Sequence, residues 1–248
     1  MVSGIETFRE KFRDYADCFT VIGGTACDIL MSEAGVDFRA TRDIDMILLM
    51  EDHGADFAKV FWEYIREGGY RCGWKNSEQA HFYRFTEPVS GYPTMIELFS
   101  RKPAEIPEVR AGIVPIHLDD DISSLSAILL NDDFYDFMLQ GRHVIGGIPV
   151  LDATYLIPFK MYAWLDLVER KAVGEHVNSR DLKKHRNDVF RLLQILPQDA
   201  HIITHGAVRE AVVRFVEKIE KIEIRPEQFG LVLSKEEAID FLWKVYLG

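Results

Sequence analysis

Apolar residues at Ile5, Phe8, Phe12 and Tyr15 recur every three or four positions among charged ones, which predicts an amphipathic helix over residues 5–17. Phe19 to Ile22 is a short β-prone run. It stops at Gly23-Gly24, and a helical pattern resumes from Thr25 to Met31. Asp43 to Met50 (DIDMILLM) is apolar almost throughout and reads as a mostly buried strand. Ala55 to Glu67 returns to helical spacing through Phe57, Val60, Phe61, Tyr64 and Ile65, and closes on Gly68-Gly69, a C-cap signal. Three strand-like runs follow: Tyr70–Lys75, His81–Thr86 and Thr94–Phe99. Asn76-Ser77 and the stretch from Pro88 to Pro93 supply the turns. The order α-β-α-β-α-β-β-β predicts a small α/β (α+β) unit with a mixed sheet.

Residues 100–122 are rich in proline and charge and read as loop plus one strand, Ile113–Leu118. Ser124 to Leu139 is expected to be helical, and Val144 to Val150 a small hairpin turning at Gly146-Gly147. Beyond Tyr155 the pattern is helical: Tyr155–Lys171, Arg180–Leu196, Ala207–Ile222 and Lys235–Tyr246. The expected organisation is a catalytic domain over 1–120, a connecting helix and hairpin over 121–150, and a helical domain over 151–248. Internal repeats are absent.

Composition narrows the class. With 48% hydrophobic and 28% charged residues, the chain is that of an ordinary globular protein. Acidic residues outnumber basic ones, 40 to 29, giving a net charge of −11. The molecule as a whole therefore repels nucleic acid, though a local basic face is compatible with that balance. Cys18, Cys27 and Cys72 are odd in number and form no C-x-x-C pair. A disulfide framework or structural zinc site is not expected, and a cytoplasmic location is. The N-terminus lacks a signal-peptide pattern, and no apolar run approaches the ~20 residues of a bilayer span, so no membrane partner is expected.

The chemistry centres on Asp43 and Asp45. Two positions apart on a strand, they project from one face. Neighbouring carboxylates repel unless a cation lies between them. A hard ion fits: Mg²⁺ takes carboxylate oxygens at ~2.0–2.1 Å and fills its shell with water and substrate phosphates. Gly23-Gly24 lets a ligand approach the backbone closely. The helix expected from Thr25 aims unpaired N–H groups and a positive dipole end outward, and the Thr25 hydroxyl adds a donor. Together these parts would hold a nucleoside triphosphate. A two-metal site needs its ions ~3.5–4 Å apart, usually bridged by shared carboxylates. Glu97, a lone charge in the apolar run Met95-Ile96-Glu97-Leu98-Phe99, is the candidate third carboxylate and proton acceptor. Asp119-Asp120-Asp121 is the alternative, although three acids in a row usually mark a solvated loop. Arg42 is placed to neutralise developing charge. The expected cofactor is Mg²⁺, two ions, with Mn²⁺ as the substitute.

A strand ending in Gly23-Gly24, then a helix, then Thr41-x-Asp43-Ile44-Asp45 and an apolar run, resembles the DNA polymerase β-type nucleotidyltransferase superfamily. Within it, Gly23-Gly24-Thr25-Ala26 and Arg39-x-Thr41-x-Asp43-Ile44-Asp45 resemble the AbiEii/AbiGii-toxin-type branch, bacterial proteins with a helical C-terminal half, several of them toxins of toxin–antitoxin systems. The resemblance covers roughly residues 18–100. It implies transfer of a nucleoside monophosphate from an NTP, such as ATP, to an acceptor hydroxyl on tRNA, protein or a small molecule, with a cognate antitoxin as a further partner. It also implies triphosphate contact by Lys160, in Pro158-Phe159-Lys160-Met161, and a role at the nucleotide for Asp188, in Arg186-Asn187-Asp188-Val189.

Plainer readings stand beside these. Asp43 and Asp45 alone could be a helix cap and a surface acid, and Glu97 an edge-strand surface residue. Lys160 could be a solvated helix lysine, and Asp188 could pair with Lys184. The basic stretch Arg180 to Arg191 reads as a solvated helix face before an RNA-facing patch. Tyr162, Trp164 and Trp243 fit helix packing. Two rival functions remain: a non-catalytic NTP-binding toxin or adaptor, and an antibiotic-modifying nucleotidyltransferase.

Overall fold

A computed structural model describes residues 2–49, 54–76, 81–100 and 131–248. The expected strand Ile113–Leu118, the start of the helix expected from Ser124, and Asp119-Asp120-Asp121 lie outside the described residues. The protein is mixed α/β. It divides into two compact units, Met1–Ile122 with Arg142–Leu151, and Ser123–Gly141 with Asp152–Gly248.

Among the described residues, the first unit is built on a seven-stranded sheet. Its strands are β1 (Phe19–Ile22), β2 (Asp43–Leu48), β3 (Arg71–Asn76), β4 (His81–Thr86), β5 (Met95–Ser100), β6 (Arg142–Ile145) and β7 (Ile148–Leu151). The spatial order is β3-β4-β5-β2-β1-β7-β6. β2 runs antiparallel to β1 and parallel to β5, and β1 runs parallel to β7. The hairpin β6–β7, expected as part of a connector, extends this sheet beyond β1. Gly146 and Gly147, at φ 54° and 83°, form its two-residue turn, a conformation that favours glycine at both positions.

Among the described residues of this unit the helices are α1 (Ile5–Phe12), α2 (Gly23–Glu33) and α3 (Gly54–Glu67). The amphipathic pattern at the N-terminus tightens to a 3₁₀ turn at Arg13–Tyr15. Phe8 and Phe12 of α1, Phe19 of β1, and Phe57, Phe61 and Tyr64 of α3 are all at most 1% exposed. Their rings meet at 4.6–6.1 Å, mostly tilted or edge-on. Burying each such ring contributes about 1.5–3 kcal/mol. Phe19 and Phe85 place this cluster on one face of the sheet, since alternate residues of a strand point to opposite faces.

The second unit is helical: α4 (Asp132–Gln140), α5 (Ala153–Ala172), α6 (Ser179–Leu193), α7 (Gly206–Glu220) and α8 (Lys235–Tyr246). Asn131, Asp152, Asn178 and Ser234 cap their helices through side-chain oxygens, and Ser234 with Glu237 closes a capping box. α5 packs against α6 and α7. Tyr162 and Trp164 join this packing, with rings against Phe134 and Phe215. Trp243 does not: it is 42% exposed, because it falls on the outer face of α8. Among the described residues no helix is long and apolar enough to cross a membrane.

Candidate active site

The sheet face opposite the aromatic cluster carries the charges. In the β1–β2 ladder Ile22 lies beside Asp45, and in the β2–β5 ladder Asp45 lies beside Glu97 and Asp43 beside Met95. In the β4–β5 ladder Arg84 lies beside Glu97. Paired residues share a face, so Arg84, Glu97 and Asp45 form one row across three strands, with Asp43 two residues along β2. Asp43 and Asp45 are half-buried, and Glu97 is 7% exposed.

The glycine pair sits at the end of this row. α2 begins at Gly23 rather than at Thr25, so the glycines form its first turn. Gly23 has φ +68°, and a β-carbon built there would overlap the Asp45 carboxylate, reaching its Cγ at 2.7 Å. Only a residue without a side chain allows that approach. A β-carbon on Gly24 would come within 2.7 Å of Thr41 Oγ1 and 3.5 Å of Arg39 Nη2. The opening turn of a helix leaves its N–H groups without intrahelical partners, and Gly23, at its start, lies against the Asp45 carboxylate. The Thr25 hydroxyl donates to the Asp43 carbonyl, which ties α2 to the start of β2 and commits that proton. Arg42 is exposed on the approach to β2.

Glu97 is engaged. Arg84 Nε and Nη2 both lie 2.7 Å from its Oε1. Among the described residues, no three His, Cys, Asp or Glu side chains converge as a metal shell would require. Asp43 and Asp45 nevertheless fit a divalent cation by their chemistry: hard oxygens, one shared face, half-open to solvent, beside a cradle a β-carbon would fill.

Lys160 and Asp188 belong to the second unit. They are 3% and 0% exposed, and Lys160 Nζ lies 3.4 Å from Asp188 Oδ2. Arg191 Nη1 takes Oδ1 of the same carboxylate at 3.2 Å. Asp188 therefore pairs with Lys160 and Arg191. Burial of the triad also removes Lys160 from the solvated helix face.

Sequence reasoning missed Arg84 and Arg39. Arg84 is a lone cation in the aromatic run His81-Phe82-Tyr83-Arg84-Phe85, the same kind of anomaly that singled out Glu97. Arg39 had a signal only as part of the Arg39-x-Thr41 motif. Its proximity to Gly24 is a product of chain return.

No protein-family profile matches this chain, and no curated protein matches it. Among solved structures it is similar to an antigenic nucleotidyltransferase-like protein from Paracoccidioides brasiliensis, at TM-score 0.48 and 13% identity, over 99% of this chain and 96% of that one. It is also similar to JHP933 from Helicobacter pylori, at TM-score 0.43 and 13% identity, over 96% and 85%.

Proposed function

We propose that the protein is a Mg²⁺-dependent nucleotidyltransferase that moves a nucleoside monophosphate from an NTP to an acceptor hydroxyl and releases pyrophosphate. One observation carries the reading: the ladder sets Asp45 between the glycine turn and Glu97, with Asp43 on the same face. Asp43 and Asp45 hold the cation, and Glu97 is the third carboxylate of the site. A bound divalent ion supplies charge neutralisation for the phosphate under attack and for the leaving pyrophosphate. The N–H groups of Gly23, Gly24 and Thr25 bind the outer phosphates. Arg42 offsets charge at the open side.

Lys160 and Asp188 enter this reading through the AbiEii/AbiGii-type resemblance alone. In the second unit they satisfy each other's charge. The same resemblance suggests a cytoplasmic toxin with a cognate antitoxin. The acceptor classes are tRNA, protein and small hydroxylated molecules.

The test is incubation with each labelled NTP, Mg²⁺, and total RNA, protein lysate or aminoglycosides in parallel. Label should enter one pool with matching pyrophosphate release. Asp43→Asn and Asp45→Asn should lower that release by about 10²–10³-fold. An unchanged rate in either variant refutes the assignment. A second reading, NTP binding without turnover, is favoured by the hold of Arg84 on Glu97. Mg²⁺-dependent ATP retention in equilibrium dialysis with no pyrophosphate from any pool would select it.

A further inference from the structure

Arg84 and Glu97 face each other across β4 and β5, and Glu97 stands beside Asp45 across β5 and β2. Two guanidinium nitrogens converge on one oxygen of Glu97, each at 2.7 Å. Such charge-assisted bonds are about twice as strong as neutral ones. The glutamate side chain is 9% exposed and the arginine side chain 29%, so the pair opens to solvent on the arginine's side. A strand pairing that needed only a packed neighbour here would be served by apolar residues, like those at Phe85 and Ile96 next to them. A buried charge pair beside two more carboxylates is instead an arrangement that an incoming cation or anion perturbs.

We infer that Arg84 is a positioning residue that holds Glu97 back from the cation site beside Asp45 until the phosphates of an arriving nucleotide take over the guanidinium. The inference rests on the reading of Asp43 and Asp45 as cation ligands. Its physical basis is an exchange of partners. A guanidinium binds carboxylate and phosphate through the same planar fork, so Arg84 loses little when it trades one for the other. Glu97 then exchanges the arginine's charge for that of the cation. No bond to hydrogen or carbon is made or broken in this exchange. Linkage requires the effect to be reciprocal: nucleotide tightens cation binding, and cation tightens nucleotide binding by the same factor.

The full chain tests this by Mn²⁺ titration, read by electron paramagnetic resonance of the free ion, with and without α,β-methylene-ATP. In the unmodified protein, nucleotide should tighten Mn²⁺ binding by about tenfold. In Arg84→Gln, Mn²⁺ alone should bind about tenfold tighter, because a neighbouring positive charge is gone and Glu97 is released. The further gain from nucleotide should shrink to about threefold or less, since the coupling element is missing. Glu97→Gln should lose the coupling without the rise in Mn²⁺ affinity. If Arg84→Gln does not fold by circular dichroism, Arg84→Lys carries the test, with a smaller rise of about threefold because a point charge replaces the fork. Mn²⁺ affinity and coupling unchanged in the folded Arg84 variant would overturn the inference. Asp43→Asn/Asp45→Asn separates the two levels. Retained Mn²⁺ binding in that variant sinks the site itself, whereas its loss with an indifferent Arg84 variant sinks only the role of Arg84.

Discussion

Gly23 and Asp45 approach so closely that a single added methyl group at Gly23 would overlap the carboxylate. The contact joins the first turn of α2 to the middle of the candidate cation site. It also explains why glycine is required there on two independent grounds, space and a φ of +68°.

Gly23→Ala should therefore destabilise the protein and weaken nucleotide binding together. The backbone conformation alone costs roughly 1–2 kcal/mol for a residue with a β-carbon. Gly24→Ala should be milder in stability, because its nearest neighbour is the Thr41 hydroxyl, the end of a side chain that can rotate. Urea unfolding of the two variants checks the order. Equal stability of Gly23→Ala and the unmodified protein would contradict the contact.

The acidic pair predicts metal-linked stability. Mg²⁺ at 100 times its dissociation constant should raise the unfolding free energy by about 2.7 kcal/mol. Asp45→Asn should remove that dependence while leaving the fold intact, since Asp45 is half-exposed and its replacement is isosteric. Thermal unfolding with and without Mg²⁺ is the measurement, and a magnesium response that survives in Asp45→Asn would count against the site.

The triad Lys160, Asp188 and Arg191 predicts a strong asymmetry. Asp188→Ala leaves Lys160 buried without its counter-charge and should cost about 3–5 kcal/mol. The double variant Lys160→Met/Asp188→Leu should recover most of that loss, because a buried ion pair is often replaceable by well-packed apolar groups. Denaturant midpoints measure both. Nucleotide affinity measured on the recovered double variant also shows whether Lys160 touches the ligand.

Burial pushes the thiols of Cys18 and Cys72 up from 9.0 to about 12, with Asp17 adding to the effect at Cys18. Both should resist iodoacetamide at pH 8 in the folded protein, as peptide mass mapping would show. Their raised values also set a sign for stability. Each group stays protonated in the folded state while the unfolded chain releases its proton, so this contribution is full below pH 9 and is lost as pH rises toward 12. Urea midpoints should fall across that window. Cys18→Ser/Cys72→Ser, compared at pH 8 and pH 11, should show a smaller fall than the unmodified protein. An identical fall would refute the assignment.

Much of the fold was legible in the sequence because it is written locally. The last helix spans Lys235–Tyr246 as its periodicity predicts, and β4 spans His81–Thr86 as its aromatic run predicts. The hairpin at Gly146-Gly147 followed from turn chemistry. Its place in the sheet did not, since nothing in residues 142–151 says that Val150 will pair with Val21. Trp243 escaped for a related reason: its helix was predictable, but which side of it would be covered was not.

The sequence by itself determined that Asp43 and Asp45 share a face, because two-residue spacing on a strand allows nothing else, and that a glycine pair lies between the first strand and the helix after it. Only the tertiary structure decided that Glu97 would stand beside Asp45, that Arg84 would claim its oxygen, and that Asp188 would find Lys160. Strand order, register and helix packing join residues far apart in the chain. Their energies arise only once the chain has closed on itself, and no local pattern carries them.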